Sequence, residues 1–275
     1  MIKDILANLE TNPTRDAARD YAISAASLFE ARLTGVAFAY EPVNPGTIFD
    51  GIGAPVIAEY REELRAAARA ARDQFKRATQ QANLQSEAHV IDLGRAGVAT
   101  TFGEMARNFD LSIIGQARPD SEALTNVIIE GALFGSGRPV LVVPYIQKTG
   151  LKLDRVMVCW DGSRNAARAV ADAMPLLRRA GAIEVVTIDT VERRNEVAGA
   201  SIAEHLARHG LKIELKSITD KANDVASTIL NHVADSCADF VVMGGYGHSR
   251  LREFVLGGAT RGMLRSMTVP TLMAH

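Results

Sequence analysis

Excess positive charge is the first thing this chain lacks: 31 Lys and Arg stand against 32 Asp and Glu, leaving a formal net charge of -1 over 275 residues. Without a field of one sign to collect phosphate backbones or an anionic bilayer, neither nucleic acid nor a membrane surface is an expected partner. Cysteine is scarce too. Cys159 and Cys237 each lie in or beside an apolar run and lack metal-ligand spacing, so they read as buried thiols in a reducing compartment. No apolar run reaches the roughly 18 residues that would suggest a membrane span, and Met1-Ile2-Lys3-Asp4 leads into a strand-like segment without signal-peptide organisation. The expected location is the cytoplasm. A Walker-type Gly-Lys-Ser/Thr is missing as well, so no lysine is placed for the terminal phosphates of a nucleotide. His205 and His209 have helical metal-site spacing, but Leu206 stands where the zinc-protease pattern needs Glu, and two solvated side chains are expected.

What the chain does have is a pattern repeated twice. Ile5 to Leu9 is short and apolar, and Thr14 to Leu33 then places apolar residues at helical spacing. Strand-like segments follow at 35–40, 88–91, 111–115 and 139–143, separated by helix-length stretches at 58–84, 96–108 and 126–134. The proline- and glycine-rich stretch from Glu41 to Pro55 reads as a loop. Strands alternating with helices mean βαβ units and a parallel sheet. Ile146 to Lys152 interrupts the series with polar residues and Gly150, after which it restarts. Val156 to Asp161 matches Ile5 to Glu10, Asp239 to Gly244 matches Asp110 to Gly115, and Val269 to Leu272 matches Arg138 to Leu141. The second-copy segments between them, Ile183 to Ile188 and Ile213 to Leu215, supply its second and third strands. The offset falls from about 150 to about 130, so the first copy carries about 20 extra residues around its long loop and helix. The expected architecture is α/β: two tandem doubly wound parallel five-stranded sheets, strand order 3-2-1-4-5, with helices on both faces, as domains 1–147 and 148–275.

Chemistry concentrates in the second copy. Asp161 ends its first strand and Gly244 its fourth, and in that strand order the two are neighbours where the winding reverses, at the crevice where such folds take ligands. Gly244, Gly245 and Gly247 let backbone N–H groups approach a ligand, and Gly257-Gly258 opens a helix whose unpaired N–H groups and dipole favour an anion. Asp161 can accept hydrogen bonds from an amine or hydroxyl of the same ligand. An anion at one end and a donor-rich group at the other suit a nucleotide. His248, Arg250, Arg252 and Arg261 flank the loop and are weighed as surface residues first.

The chain resembles the universal stress protein family, whose ATP-binding members carry Gly-x-x-Gly, nine residues, then Gly-Ser or Gly-Thr. Gly244, Gly247 and Gly257 match at that spacing, and Val269-Pro270-Thr271-Leu272 looks like the family's closing strand. The resemblance implies that Asp161 contacts adenine, that Ile188 lines the base pocket, and that Gly244, Gly247, Gly257 and Gly258 hold phosphate and ribose, with Ala259 and Thr260 opening the helix beside them. It also implies ATP, with Mg²⁺, as the cofactor. The family's Ser/Thr position is Gly258 here, which keeps the N–H and loses the hydroxyl. The first copy departs further, with Glu10 for the aspartate and Gln116-Ala117-Arg118-Pro119 after Gly115, so one site per chain is expected. The implied role is a non-catalytic stress-response protein whose adenine nucleotide governs its meeting with unidentified protein partners. A weak ATP hydrolase or phosphotransferase and a ligand-free interaction module are the alternatives. Pairing of the two closing strands within the chain would make an internal pseudo-dimer, with a homodimer as the other assembly.

Overall fold

A computed structural model of the protein describes residues 1–11, 15–39, 54–93, 95–118, 122–189, 196–220, 224–246 and 258–275. The chain divides into two compact units, Met1–Arg138 and Pro139–His275. The sequence repeat places its boundary nine residues later, at 147/148; the strand that closes the first copy is grouped with the second unit, where it finds a partner.

In the first unit, β1 (Asp4–Asn8) lies between β2 (Arg32–Ala39) and β4 (Leu111–Gly115), and β3 (Ser86–Asp92) flanks β2, all parallel. The crossovers are α1 (Ala17–Phe29), α2 (Ala54–Gln81) and α3 (Arg95–Ala106), and α4 (Glu122–Gly135) follows β4. Helix α2 starts four residues earlier than expected, because Pro55 falls in the first turn, where its missing N–H costs nothing.

The second unit has β6 (Arg155–Cys159) between β7 (Ala182–Asp189) and β9 (Phe240–Gly244), with β8 (Ile213–Thr219) outside β7 and β10 (Thr271–Ala274) outside β9. That parallel set reads 3-2-1-4-5. β5 (Val140–Val143) pairs antiparallel with β10, Leu141 opposite Leu272. Helices α5 (Arg164–Leu177), α6 (Glu196–Arg208), α7 (Val225–Ser236) and α8 (Ala259–Ser266) complete the unit. The architecture is the expected α/β fold of two doubly wound copies. Burial explains why the strands were legible: β4, β5 and β10 are buried along their whole length, as strands covered on both faces must be, and so read as continuous apolar runs.

Matching residues do matching work in the two copies. Asp110 Oδ2 accepts from the N–H groups of Lys3 (2.7 Å) and Asp4 (3.1 Å), tying the start of β4 to the start of β1. Asp239 Oδ2 accepts in the same way from Asp154 (2.9 Å) and Arg155 (3.4 Å), ahead of β9 and β6. The α1 cap is Asp16, whose Oδ1 accepts from Arg19 N, and the α5 cap is Ser163, whose Oγ accepts from Ala166 N. Cys159 is half-buried, whereas Cys237 is exposed, against expectation. It sits one residue past α7 in the left-handed conformation that ends the helix (φ 55°), which turns it out of the apolar run. Among the described residues no helix is long and apolar enough to cross a membrane.

Candidate functional site

Because β6, β7 and β9 are parallel neighbours, their C-terminal ends share one edge of the sheet, and the winding reverses between β6 and β9. Asp161 lies two residues beyond β6, Ile188 is the penultimate residue of β7, and Gly244 is the last of β9. The crevice expected from strand order is therefore lined by the expected strand ends.

Asp161 is exposed, and its Oδ1 accepts from Ser163 N at 2.9 Å across Gly162, which has φ +73°. This side-chain turn fixes the carboxylate at the mouth of the crevice, and an ionised carboxylate keeps acceptor capacity for a ligand donor. Its charge also reaches back to Cys159: burial, and then Asp161, push that thiol up to about 12, so it stays protonated. Ile188, near the end of the neighbouring strand β7, is half-buried. Trp160, between β6 and Asp161, is half-buried with its Nε1 in the interior and unpaired.

Gly244 has a reason to be glycine that involves no ligand. A Cβ there would meet Ala166 N at 2.7 Å and the Asn165 carbonyl carbon at 2.8 Å, so the end of β9 passes against the first turn of α5 more closely than any side chain permits. Gly245 donates its N–H to Ala274 O (2.8 Å), extending the β9–β10 ladder by one bond. Tyr246 takes a left-handed conformation, φ 51°, unusual for an aromatic residue, and donates its N–H to Thr260 Oγ1 at 2.9 Å. Thr260 is 3% exposed, so its hydroxyl oxygen is turned to the loop's own backbone. Gly258 is the N-cap of α8 and supplies no side-chain cap, while its carbonyl accepts from Arg261 N and Gly262 N. The first turn of α8, with Ala259 and Thr260, thus opens without the side-chain oxygen that usually satisfies its donors, the arrangement that favours an anion. Gly247, His248, Arg250, Arg252 and Gly257 lie outside the described residues.

Two further residues close the base of the loop and were not apparent from the motif. Asn165, 2% exposed, donates from Nδ2 to Gly245 O at 2.6 Å, and His275 Nδ1 lies 2.8 Å from the same nitrogen. Asn165 could have been found, since it sits in the buried stripe of α5 with Ala166, Ala169 and Ala173, where a polar side chain needs a partner.

At the equivalent strand end of the first unit, a carboxylate and an arginine stand beside the glycine. A Cβ on Gly115 would collide with Glu10 Oε1, and Glu10 Oε2 pairs with Arg118 Nε at 3.5 Å. Arg118 also donates to Arg15 O. Beneath them Asp16, 4% exposed, accepts from Glu10 N and Arg19 N, and burial pushes its carboxyl up to about 6. Among the described residues no three His, Cys, Asp or Glu side chains gather as a metal site.

Strand order and crevice together define a doubly wound α/β protein. Residues 152–275 match the model of the universal stress protein family, and this part of the chain is a universal stress protein domain. A universal stress protein of Synechocystis sp. is 25% identical over 175 residues, 62% of this chain. The alignment spans 59% of that relative's length. Among solved structures, a universal stress protein from Archaeoglobus fulgidus has the same fold over 98% of this chain and 95% of its own, with TM-score 0.76 and 16% identity. A protein of unknown function from Pseudomonas aeruginosa PAO1 covers 99% and 92%, with TM-score 0.59 and 16% identity.

Proposed function

We propose that the second unit binds one adenine nucleotide, ATP with Mg²⁺ foremost, and that occupancy governs how the protein meets its partners in a cytoplasmic stress response. The observation that carries this reading is that Asp161 beyond β6 and Gly245–Tyr246 beyond β9 leave neighbouring parallel strands at one edge of the sheet, the Tyr246 N–H bonded to the uncapped first turn of α8. Asp161 would take the donor edge of adenine, Ile188 its face, and Gly244, Gly247, Gly257, Gly258, Ala259 and Thr260 would surround the ribose and phosphates. The contribution of Gly244 is close packing that lets its neighbours reach the ligand. Gly258 offers an N–H in place of a hydroxyl, and Thr260 has its oxygen engaged with Tyr246, so phosphate would be held by backbone donors. With Asp161 assigned to the adenine edge, the set places neither a general base nor a lysine at the phosphates, which supports binding over turnover.

Calorimetric titration with ATP, ADP and AMP, each with and without Mg²⁺, tests the reading. One equivalent of ATP per chain is expected, because the first crevice holds the Glu10–Arg118 pair. Absence of heat with all three nucleotides overturns it and leaves a ligand-free interaction module, a reading favoured by the buried Thr260 hydroxyl and the side-chain-free Gly258. The antiparallel pair of β5 and β10 supports an internal pseudo-dimer, for which sedimentation is expected to give the mass of one chain, 29.6 kDa.

A further inference from the structure

The peptide joining Gly245 to Tyr246 is held from both sides. Its N–H goes to Thr260 Oγ1 at 2.9 Å, and its carbonyl accepts from Asn165 Nδ2 at 2.6 Å. His275 Nδ1 stands 2.8 Å from Asn165 Nδ2 and 3.1 Å from the same carbonyl. A carbonyl only accepts, so the Asn165 carboxamide must turn its NH₂ toward it. His275 Nδ1 reaches both groups: unprotonated it accepts from the Asn165 NH₂, and protonated it donates to Gly245 O, so in either tautomer it braces the same peptide. One carboxamide thereby bridges the loop and the residue that follows β10. Its own helix, α5, begins three residues after Asp161, so the same side chain links the two walls of the crevice. The neighbouring Tyr246 is left-handed, a conformation that persists only where surrounding bonds over-determine it.

We propose that Asn165 and His275 are positioning residues that clamp the Gly245–Tyr246 peptide, fixing the glycine loop against the wall that carries Asp161. The consequence for ligand affinity rests on the nucleotide reading above; the clamp itself does not. Without the clamp, the Gly245–Tyr246 peptide loses its carbonyl anchor, and the Tyr246 N–H is held less firmly against Thr260 Oγ1 at the first turn of α8.

Amide hydrogen exchange at Gly245 and Tyr246, on the nucleotide-free full chain, tests the clamp, and ATP titration of the same samples tests the reading. Asn165→Asp keeps the shape and removes the donors; His275→Phe removes the ring nitrogen; His275→Gln restores a polar partner. Tyr246 exchange is expected to rise about tenfold in the first two variants, the scale of one lost hydrogen bond, and to stay near wild type in the third. Val158 and Val185, in the sheet centre, should be unchanged. Where the nucleotide binds, its Kd should rise by about the same factor in Asn165→Asp and His275→Phe. Should Asn165→Asp fail to fold, the His275 pair decides. Tyr246 exchange in His275→Phe within about twofold of wild type, well under the effect of one hydrogen bond, overturns the clamp. Faster exchange in a protein that binds no ATP upholds the clamp and overturns the nucleotide reading instead.

Discussion

Thr260→Val separates the two things a hydroxyl at the start of α8 can do. Thr260 Oγ1 accepts from Tyr246 N at 2.9 Å, with Thr260 3% and Tyr246 9% exposed, so no bulk water can replace the bond. Valine has nearly the same shape and leaves the Tyr246 N–H buried without an acceptor. An unsatisfied buried donor costs about 1–3 kcal/mol, and burying a methyl in place of the hydroxyl returns about 0.8 kcal/mol. The net expected loss is about 0.2–2.2 kcal/mol, concentrated in the second unit. In urea, with a slope of about 2 kcal/mol per molar, the transition of that unit should move down by about 0.1–1.1 M. Two units can unfold separately, so near-ultraviolet circular dichroism of Trp160, the single tryptophan and a residue of the second unit, is the right probe. Thr260→Ser keeps the oxygen and should retain most of the stability. An unchanged midpoint for Thr260→Val would refute the internal role of this hydroxyl. If ATP affinity then fell, the hydroxyl would be a ligand contact standing in for the one Gly258 lacks.

Three more outcomes follow from other contacts. Gly244→Ala places a Cβ against Ala166 N and the Asn165 backbone, so the first turn of α5 must shift; a loss of about 1–3 kcal/mol is expected in thermal melts without nucleotide, whereas a purely ligand-related glycine would leave them unchanged. Asp16 has its pKa pushed up to about 6 by burial, against 3.8 for the free side chain, so the stability linked to it is full below the unfolded value and lost as pH rises through about 6. Asp16→Asn keeps a cap and removes that titration: the stability of wild type relative to the variant should fall by about 2–3 kcal/mol between pH 4 and pH 7, read from urea midpoints, and a constant difference would contradict the assignment. Asp161→Ala removes an exposed carboxylate, so ATP affinity should drop about tenfold by calorimetry with little change in melting.

The sheet was legible because its strands are buried on both faces, and the exception has the same cause. β8 runs Ile213–Thr219, yet only Ile213 to Leu215 was readable as strand, because at the sheet edge Glu214, Lys216 and Ser217 face solvent and the apolar run stops. The repeat was legible through Asp110 and Asp239, whose shared task demands the same residue at the same place in both copies. The glycine pattern marked the end of β9 at Gly244. It did not reveal what each glycine faces.

That distinction decides how the loop should be understood. Gly244 and Gly115 occupy the same strand end in the two copies; the α5 backbone leaves no room for a Cβ at Gly244, whereas the atom nearest Gly115 is the movable end of the Glu10 side chain. In the first unit the space beside the glycine holds that carboxylate and its arginine, an acid and a base already paired. In the second, Asp161 accepts from Ser163 N, and the Gly245–Tyr246 peptide at the start of the loop is held by Asn165 and Thr260, with His275 beside Asn165. The difference begins at residues 10 and 161, where a longer acid after β1 reaches the end of the neighbouring β4 and its arginine, and a shorter one is drawn into the following turn. The reach of one methylene, together with an arginine to receive it, is enough to make one crevice self-sufficient while the other keeps an acceptor at its mouth.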